Sequence, residues 1–428
     1  MIELELPEYG AIIAQHPPIL IDQQERITAD LGKKLSVRWL SNDRVEVKAT
    51  SWVGTVQLTD SLRVRVIPKL AGGSLGVLTM LALTDGAPLH ELPTYYRGLS
   101  TNDSEDAVQL LCRLTVRRTE DTVRRGLIRD YRPHRDDLPY LRGRLDVYRQ
   151  VTHHYGRLDA LSCSFDEFDH DVIENQVLLA GVRVARRVAS DPDIRRRAAS
   201  LSTYLATGVR TLPSNREVVA RPIVYGRRTE HYRAAHTWCR ALLSTQQVDD
   251  SVVGGSLAVN AFLINMNTLF ERFLEWLVTA SLDGTHINVQ KQKHNRSLIT
   301  VNGVPSRSIA PDIVLQQQDW QCAVDAKYKR YDIKDVSPSD LYQLFLYAQC
   351  YTGLGTVPTS FLVHPTISAL TTNKVELTVP SDSEARRVRV QVIGVPLVTL
   401  VEELRTGVSD VLARTTMQFR SLFDATTE

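Results

Sequence analysis

Two neighbouring segments in the last third of the chain carry side chains whose spacing could support phosphodiester chemistry. Asp312 lies in one strand-like run, and Asp325 and Lys327 lie in the next. If the two runs form a hairpin with its turn at Gln318-Asp319, position 312 lies directly opposite position 325, and opposite residues point to the same face. Lys327 shares that face with Asp325, because side chains alternate along a strand. The spacing therefore predicts that three ionisable groups converge.

Two carboxylates in such a pair would repel each other unless a cation lies between them. At about 5 Å the repulsion is roughly 1 kcal/mol in water and several times larger in a partly buried site. A divalent ion such as Mg²⁺ prefers carboxylate oxygens, and it can activate water while a lysine orients a phosphate. The arrangement is typical of a phosphodiester hydrolase. The alternative is an exposed hairpin in which Asp312 or Asp325 only pairs with Lys327 or Lys329.

The elements that must position these residues follow from the hydrophobic pattern after about residue 257. The pattern predicts an α/β domain with a mixed central sheet. Ser337-Pro338 supplies a helix cap followed by a proline at the first helical position. The expected helices are Ala258–Ala280 and Pro338–Tyr351, and the expected strands are Ile287–Gln292, Pro311–Gln317, Gln321–Lys329 and Thr359–His364.

In the preceding part of the chain, the spacing of apolar residues predicts a β-rich region followed by a helical one. Alternating apolar residues predict strands at Val45–Ala49 and Leu62–Ile67, whereas Ser104–Ile128 and Asp171–Ala206 have helical spacing, the latter broken at Asp191-Pro192. Tyr131–Tyr140, with two prolines and several charges, is expected to be a connector. The glycines near residue 72 are expected to form a flexible turn: Gly72, Gly73 and Gly76. The fold class is therefore α+β with several domains.

Composition narrows the class of protein. The chain has 428 residues, 43% of them hydrophobic, and a formal net charge of +2. A single core rarely exceeds about 250 to 300 residues, so we expect more than one domain. The apolar stretches are shorter than the roughly 20 residues of a membrane helix, and the acidic start lacks a secretory pattern. We expect a cytoplasmic protein without a membrane span.

Cysteines, histidines and arginines give weaker signals. The five cysteines have no paired short spacing, so we expect buried small hydrophobic residues rather than disulfides or a zinc finger. His153, His154, His231 and His236 are expected to be structural or on the surface. A cluster of arginines could follow a phosphate backbone or form a solvated helix face with acidic partners. These arginines are Arg183, Arg186, Arg187, Arg195, Arg196 and Arg197.

The segments around the predicted hairpin resemble a known superfamily. Pro311-Asp312, Asp325-Ala326-Lys327 and the later Gln343-to-Tyr347 segment are similar to the PD-(D/E)xK nucleases. Within that superfamily the chain resembles the McrC-type nuclease subunits of McrBC modification-dependent restriction systems. The superfamily motif alone is loose, but an ordered set of further segments extends the likeness over most of the chain. These are Val53-Gly54, Ile67-Pro68-Lys69, Asp166-Glu167-Phe168 with Asn175, Leu269-Phe270-Glu271 and Tyr328-Lys329.

The resemblance implies a role for each matching ionisable residue. Asp312 and Asp325 match the metal-binding acids, and Lys327 matches the catalytic lysine. Glu271 matches a helical acid that completes the metal site, so the three acids together would bind Mg²⁺, with Mn²⁺ as an alternative. On a helical wheel Glu271 falls at the border of the apolar stripe, whereas Glu275 points farther toward solvent.

Two further residues match a supporting pair of that superfamily. These are Gln343 and Tyr347, which are four residues apart and therefore lie on one face of the predicted helix.

The resemblance also implies a partner and a division of labour. McrC-type subunits work with McrB, a GTP-hydrolysing AAA+ hexamer that recognises methylcytosine in DNA. We therefore expect residues 1–155 to form an N-terminal β-rich and helical module that docks on this ring and stimulates its GTPase. Residues 156–428 would form a helical region plus a PD-(D/E)xK nuclease domain, with its core at about 257–400, that cuts double-stranded DNA. The chain itself contains no Gly-x-x-x-x-Gly-Lys-Ser/Thr loop for a nucleotide.

Two alternatives remain open at this point. One is a RecB-like or repair nuclease that works with a different motor. The other is a non-catalytic subunit that only assembles and activates its motor; the intact set of Asp312, Asp325 and Lys327 counts against it.

Overall fold

The structure, a computed structural model, describes most of the chain. The described residues are 2–59, 61–87, 107–157, 159–210, 214, 217–218, 221–246, 260–291, 295–302, 304–318, 320–352, 357–367, 369–379 and 386–424. Predictions that fall on positions 104–106, 258–259, 292 and 319 lie outside them.

Strands and helices are both abundant in these ranges, as expected for an α+β protein. The strands are β1 Ile2–Pro7, β2 Ala11–Gln15, β3 Leu35–Leu40, β4 Arg44–Ala49, β5 Trp52–Thr59, β6 Leu62–Ile67, β7 Asp130–Leu138, β8 Arg144–Leu145, β9 Leu161–Asp169, β10 Asn260–Asn265, β11 Asn288–Lys291, β12 Asn295–Val301, β13 Val304–Ile309, β14 Ile313–Gln317, β15 Trp320–Ala326, β16 Thr359–Thr366, β17 Thr371–Val379 and β18 Arg386–Pro396. The helices are α1 Ile21–Leu31, α2 Gly73–Thr84, α3 Ala107–Arg125, α4 Val147–His153, α5 Ile173–Val188, α6 Pro192–Ala206, α7 Arg233–Gln246, α8 Met266–Ser281, α9 Pro338–Cys350, α10 Leu397–Thr406 and α11 Asp410–Asp424.

The chain forms two compact units. One contains residues 1–107 together with 255–428, and the other contains residues 108–254. The expectation of more than one compact unit is therefore met. The boundaries between these compact units do not fall at residue 155, where we expect the docking module to end and the nuclease part to begin. The assignment of docking to residues 1–155 and of cutting to residues 156–428 stays a prediction.

A six-stranded mixed sheet is the centre of the discontinuous unit. Its strand order is β11-β14-β15-β16-β18-β17, with parallel pairs at β15/β16 and β16/β18 and antiparallel pairs elsewhere. β16, which confirms the strand predicted at Thr359–His364, is buried along its whole length. Helix α9 packs on one face, where Leu344 and Tyr347 join Val314, Ala323 and Leu362 in one core. The mixed central sheet was predicted correctly.

Two smaller sheets lie in the same unit. One has the strand order β1-β6-β5-β10 and the other has the order β2-β4-β3. The alternating burial of β4 and β6 confirms the two strands predicted in this region. Because β10 pairs with β5, the sheet joins the start of the chain to the segment that leads into α8.

The continuous unit contains the two predicted helical regions and three strands that the sequence patterns did not predict, β7, β8 and β9. α5 and α6 confirm the helical region predicted at 171–206 and its break at Asp191-Pro192. Asp191 caps α6 by accepting a hydrogen bond from the Asp193 amide at 2.8 Å. The connector expected at Tyr131–Tyr140 is wrong, because β7 covers most of it. β7 is an edge strand of the sheet β7-β9-β8, where a proline such as Pro133 is tolerated.

Two further expectations need correction in the discontinuous unit. The helix expected from residue 258 begins at Met266, because Leu263 and Ile264 belong to β10 and Asn265 caps α8. The flexible turn expected at the glycines is also only partly present. Gly72 is left-handed before α2, but Gly76 is buried inside that helix.

Two arginines of the predicted cluster form ion pairs with acidic side chains. Arg197 pairs with Glu120 and Arg196 pairs with Asp193, which fits the solvated helix face for these two residues. No helix in the described ranges has the length and apolar character needed to cross a bilayer. Four of the five cysteines are buried, and Cys350 is half-buried.

Gly76 should be intolerant of any side chain. A Cβ atom at this position would lie 1.5 Å from the Ala71 carbonyl oxygen, so the backbone would have to move. We expect Gly76→Ala to lower the free energy of unfolding by about 1–3 kcal/mol, measured by urea denaturation. Gly226→Ala is the matched control, because nothing lies within 4 Å of its added Cβ. Equal effects of the two substitutions would contradict the packing argument.

Candidate metal-dependent active site

The hairpin of β14 and β15 has the predicted register. Ile313 pairs with Val324 and Gln317 pairs with Trp320, so Asp312 and Asp325 occupy the next opposite positions. Gln318, at the turn, has a φ of 49°, as a tight two-residue hairpin requires. The hairpin therefore directs both acids toward one end of the central sheet.

Asp312 is half-buried just before β14. Its Oδ2 accepts a hydrogen bond of 2.8 Å from the Ala326 amide, across the hairpin. Burial and the nearby charge of Asp325 raise the pKa of Asp312 to about 6. This acid therefore has one fixed donor from the backbone and a like charge beside it.

Asp325 is only 2% exposed at the end of β15. Its Oδ2 lies 2.8 Å from Lys327 Nζ and forms an ion pair with it. Burial raises the pKa of the Asp325 carboxyl, and the lysine opposes part of that rise. Burial by itself would lower the pKa of Lys327, but Asp325 and the neighbouring Asp312 raise it.

Glu271 approaches from α8. The side chain is half-buried, and burial together with the charges of Asp312 and Asp325 raises its pKa to about 7. The ligand oxygens of these three acids do not all lie within 4.8 Å of one another. The structure thus brings Glu271 into electrostatic contact with the hairpin acids, without a closed cluster of three oxygens.

Gln343 and Tyr347 connect Lys327 to the backbone. Lys327 Nζ donates to Gln343 Oε1 at 3.2 Å, and Gln343 Nε2 donates to the Tyr347 hydroxyl at 2.7 Å. That hydroxyl donates to the Ala310 carbonyl at 3.1 Å. The chain of bonds fixes the lysine, because Gln343 and Tyr347 lie on α9 and Ala310 lies on the segment before β14. Of the predicted pair on one helix face, Gln343 therefore contacts Lys327 directly, and Tyr347 supports Gln343.

Asp340 is a neighbouring acid that the sequence patterns did not single out. Its carboxylate accepts hydrogen bonds from Lys329 at 2.9 Å, from Ser337 at 2.7 Å and from Tyr331. Burial would raise the pKa of Asp340, but these donors lower it to about 2. Lys329 is thus engaged by Asp340. A Ser337-x-x-Asp340 capping pattern was the sequence signal that could have revealed this acid.

A buried acid from the start of the chain also lies beside the hairpin. Glu8 is 1% exposed, and its Oε1 accepts from the Tyr328 hydroxyl at 3.3 Å. Tyr328 follows Lys327 directly and packs on Phe270, with ring centroids 5.7 Å apart. Burial raises the pKa of Glu8 to about 7, and its Oε2 is buried without a hydrogen-bond partner. No sequence signal pointed to Glu8.

Comparisons with known proteins find a matching family model and similar solved structures. The family model described as McrBC 5-methylcytosine restriction system component matches residues 47–365. A chain in the tetradecameric assembly of Thermococcus gammatolerans McrB AAA+ hexamers with bound McrC has a TM-score of 0.58 at 17% identity, covering 98% of this chain and 100% of that chain. A chain in the cryo-EM structure of the Thermococcus gammatolerans McrBC complex has a TM-score of 0.41 at 20% identity, covering 66% of this chain and 88% of that one. No curated protein matches significantly.

The buried carboxyl of Glu8 should make stability depend on pH. Its pKa is about 7 in the folded protein against 4.5 in the unfolded chain, so the folded state holds the proton more tightly. Stability is therefore lost as the pH rises from about 4.5 through 7. We expect Glu8→Gln to match the parent near pH 4.5 and to exceed its free energy of unfolding at pH 8, by up to about 3 kcal/mol.

Urea denaturation at both pH values measures this effect. Glu3→Gln is the control, because Glu3 is exposed on the preceding strand. A Glu8→Gln curve parallel to that of the parent across this range would show that the carboxyl does not carry the pH dependence.

Proposed function

Because the chain belongs to the family of McrBC 5-methylcytosine restriction system components, we propose that it is the DNA-cutting subunit of such a system. It hydrolyses phosphodiester bonds of double-stranded, methylcytosine-containing DNA at a PD-(D/E)xK site. The observation that carries the proposal is the convergence of three half-buried or buried acids on Lys327: Glu271, Asp312 and Asp325.

The donor set fits a hard divalent ion such as Mg²⁺. All three acids offer oxygen, and the pKa values of Asp312 and Glu271 are raised because burial and like charges disfavour their ionised forms. Asp325 is buried, and its Oδ2 lies 2.8 Å from Lys327 Nζ. Asp312 and Asp325 would hold the ion, with Glu271 completing the site. When bound, such an ion lowers the pKa of a water ligand and stabilises charge on a phosphoryl oxygen.

The other residues have positioning roles in this proposal. Lys327 presents its ammonium group beside the two acids, where it orients the scissile phosphate or the attacking water. Asp325 and Gln343 hold that group from two sides. Tyr347 anchors Gln343 to the backbone before β14. A cation that is fixed before substrate arrives needs no reorganisation during the reaction.

The partner in this proposal is a McrB-like AAA+ GTPase hexamer. The Thermococcus gammatolerans assembly with the similar fold contains McrB AAA+ hexamers with bound McrC. Family membership favours this motor over that of a RecB-like or repair nuclease. We further propose that the chain stimulates the GTPase of the ring.

Loss of Asp325 or Lys327 should abolish cutting and leave the assembly intact. We expect Asp325→Asn and Lys327→Ala each to reduce cleavage of methylated DNA in Mg²⁺ by at least about 10²-fold, because each removes charge from the reacting centre. Association with the AAA+ partner, measured by size-exclusion chromatography, and GTPase stimulation should be unchanged. Asp335→Asn is the control, because this acid is exposed on the loop before α9.

Cleavage retained by both site variants would refute the assignment. Intact stimulation combined with no cleavage by the parent chain would instead indicate a non-catalytic activator.

Tyr347→Phe should weaken the site without removing a charged group. The substitution deletes the hydroxyl that holds Gln343 and bonds to Ala310. We expect cleavage to slow by about 10–100-fold, as for other outer residues of metal sites. Tyr342→Phe on the exposed face of α9 is the control and should cut at the parental rate. Equal rates for the two variants would contradict the positioning role of Tyr347.

A further inference from the structure

A second group of possible metal ligands lies in the continuous unit, on the sheet of β7, β9 and β8. His134 is on β7, and Glu167 and Asp169 are on β9. His134 pairs directly with Phe165, so positions 134, 165, 167 and 169 share one face of the sheet. The possible ligand atoms of His134, Glu167 and Asp169 all lie within 4.8 Å of one another, and no other group of three His, Cys, Asp or Glu residues in the described part of the chain does so.

The distances within this cluster are close to those between ligands of one ion. His134 Nε2 lies 3.5 Å from Glu167 Oε2 and 3.8 Å from Asp169 Oδ2. Both distances exceed the usual 2.7–3.2 Å of a hydrogen bond. Two ligands bound to one ion at about 2.1 Å lie about 3–3.5 Å apart. His134 Nε2 is itself buried and has no hydrogen-bond partner.

Neighbouring residues hold the three side chains in place. The His134 ring stacks on Phe165, with centroids 6.0 Å apart and planes at 17°. Asp169 Oδ1 accepts from the Asp171 amide at 2.9 Å, so its Oδ2 is the oxygen that faces His134. Glu167 divides its oxygens in the same way, because Oε1 faces Arg142 at 3.8 Å while Oε2 faces His134. The free ligand atoms therefore point toward one another.

The charges around the cluster favour a cation. Asp130 lies directly opposite Asp169 in the β7/β9 pair, and like charges in that position repel. Arg132 lies opposite Glu167, but its guanidinium pairs with Asp171. Arg142, a second basic group near the site, stacks over the Phe165 ring at 4.0 Å and keeps a long contact with Glu167 at 3.8 Å. The nearby arginines thus leave much of the acidic charge at the cluster uncompensated.

We propose that His134, Glu167 and Asp169 bind a first-row transition-metal ion, with Zn²⁺ as the expected ion, at a structural site separate from the nuclease centre. One imidazole and two carboxylates suit Zn²⁺ and exclude the thiolate-dependent metals. The ion joins β7 to β9 through side chains. β7 benefits from such a link because it is an edge strand in which Pro133 lacks an amide donor. Glu167 belongs to the Asp166-Glu167-Phe168 segment, which the nuclease proposal does not use.

Zn²⁺ binding to the full-length chain tests this proposal. Every protein carries Asp325→Asn, which weakens divalent binding at the nuclease site, and bound Zn²⁺ is measured by equilibrium dialysis. We expect one Zn²⁺ per chain, and an affinity reduced more than about tenfold by His134→Asn or by Glu167→Gln. The control is His153→Asn, an exposed histidine of the same unit, which should bind as the parent does.

A second measurement guards against variants that fail to fold. Zn²⁺ should raise the Tm of the Asp325→Asn parent and of His153→Asn, because a ligand that binds only the folded state stabilises it. It should not raise the Tm of a folded Glu167→Gln protein. Unchanged Zn²⁺ affinity in both ligand variants, or no Zn²⁺ bound by the parent at micromolar concentration, would overturn the site and leave a histidine paired with two carboxylates. Neither result depends on DNA cleavage.

Discussion

The pairing of β14 with β15 is the constraint on which the candidate site depends. A shift of one residue in a strand turns every side chain to the opposite face, so it would separate Asp312 from Asp325. The sheet protects this register from both sides, because β11 pairs with β14 and β16 pairs with β15. Burial of both strands adds to this protection, since a slip would expose apolar residues. The position of two reactive acids is thereby tied to the core of the protein.

The same hairpin explains why neighbouring acids behave differently. Asp340 accepts three hydrogen bonds from side chains, and its pKa falls to about 2. Asp312 accepts a hydrogen bond from the Ala326 amide, and its pKa rises to about 6 because it is buried beside Asp325. The number of donors decides the direction, since hydrogen bonds to a carboxylate offset burial. Asp340 thus serves to hold its neighbouring side chains in place, whereas Asp312 is an acid that a bound cation would stabilise.

The start of the chain is physically part of the unit that carries this hairpin. Glu8 contacts Tyr328, β5 pairs with β10, and residues 1–107 cluster with residues 255–428. A fragment that lacked residues 1–107 would lose Glu8, which contacts Tyr328, the residue after Lys327. Variants of the full-length chain are therefore better suited than fragments to separate partner docking from cleavage.

The sequence by itself determined the hairpin register, the mixed sheet, the capped helix α9 and the likeness of Asp312, Asp325 and Lys327 to a nuclease site. These features are readable because strand alternation, turn length and helix caps depend on residues close together in the chain. Only the tertiary structure decided that β7 is a strand, that Glu8 lies beside Tyr328, that Asp340 engages Lys329, and that His134 faces Glu167 and Asp169. Those contacts join residues whose separation along the chain ranges from about ten to more than three hundred. No local pattern specifies them, because they depend on which elements pack together.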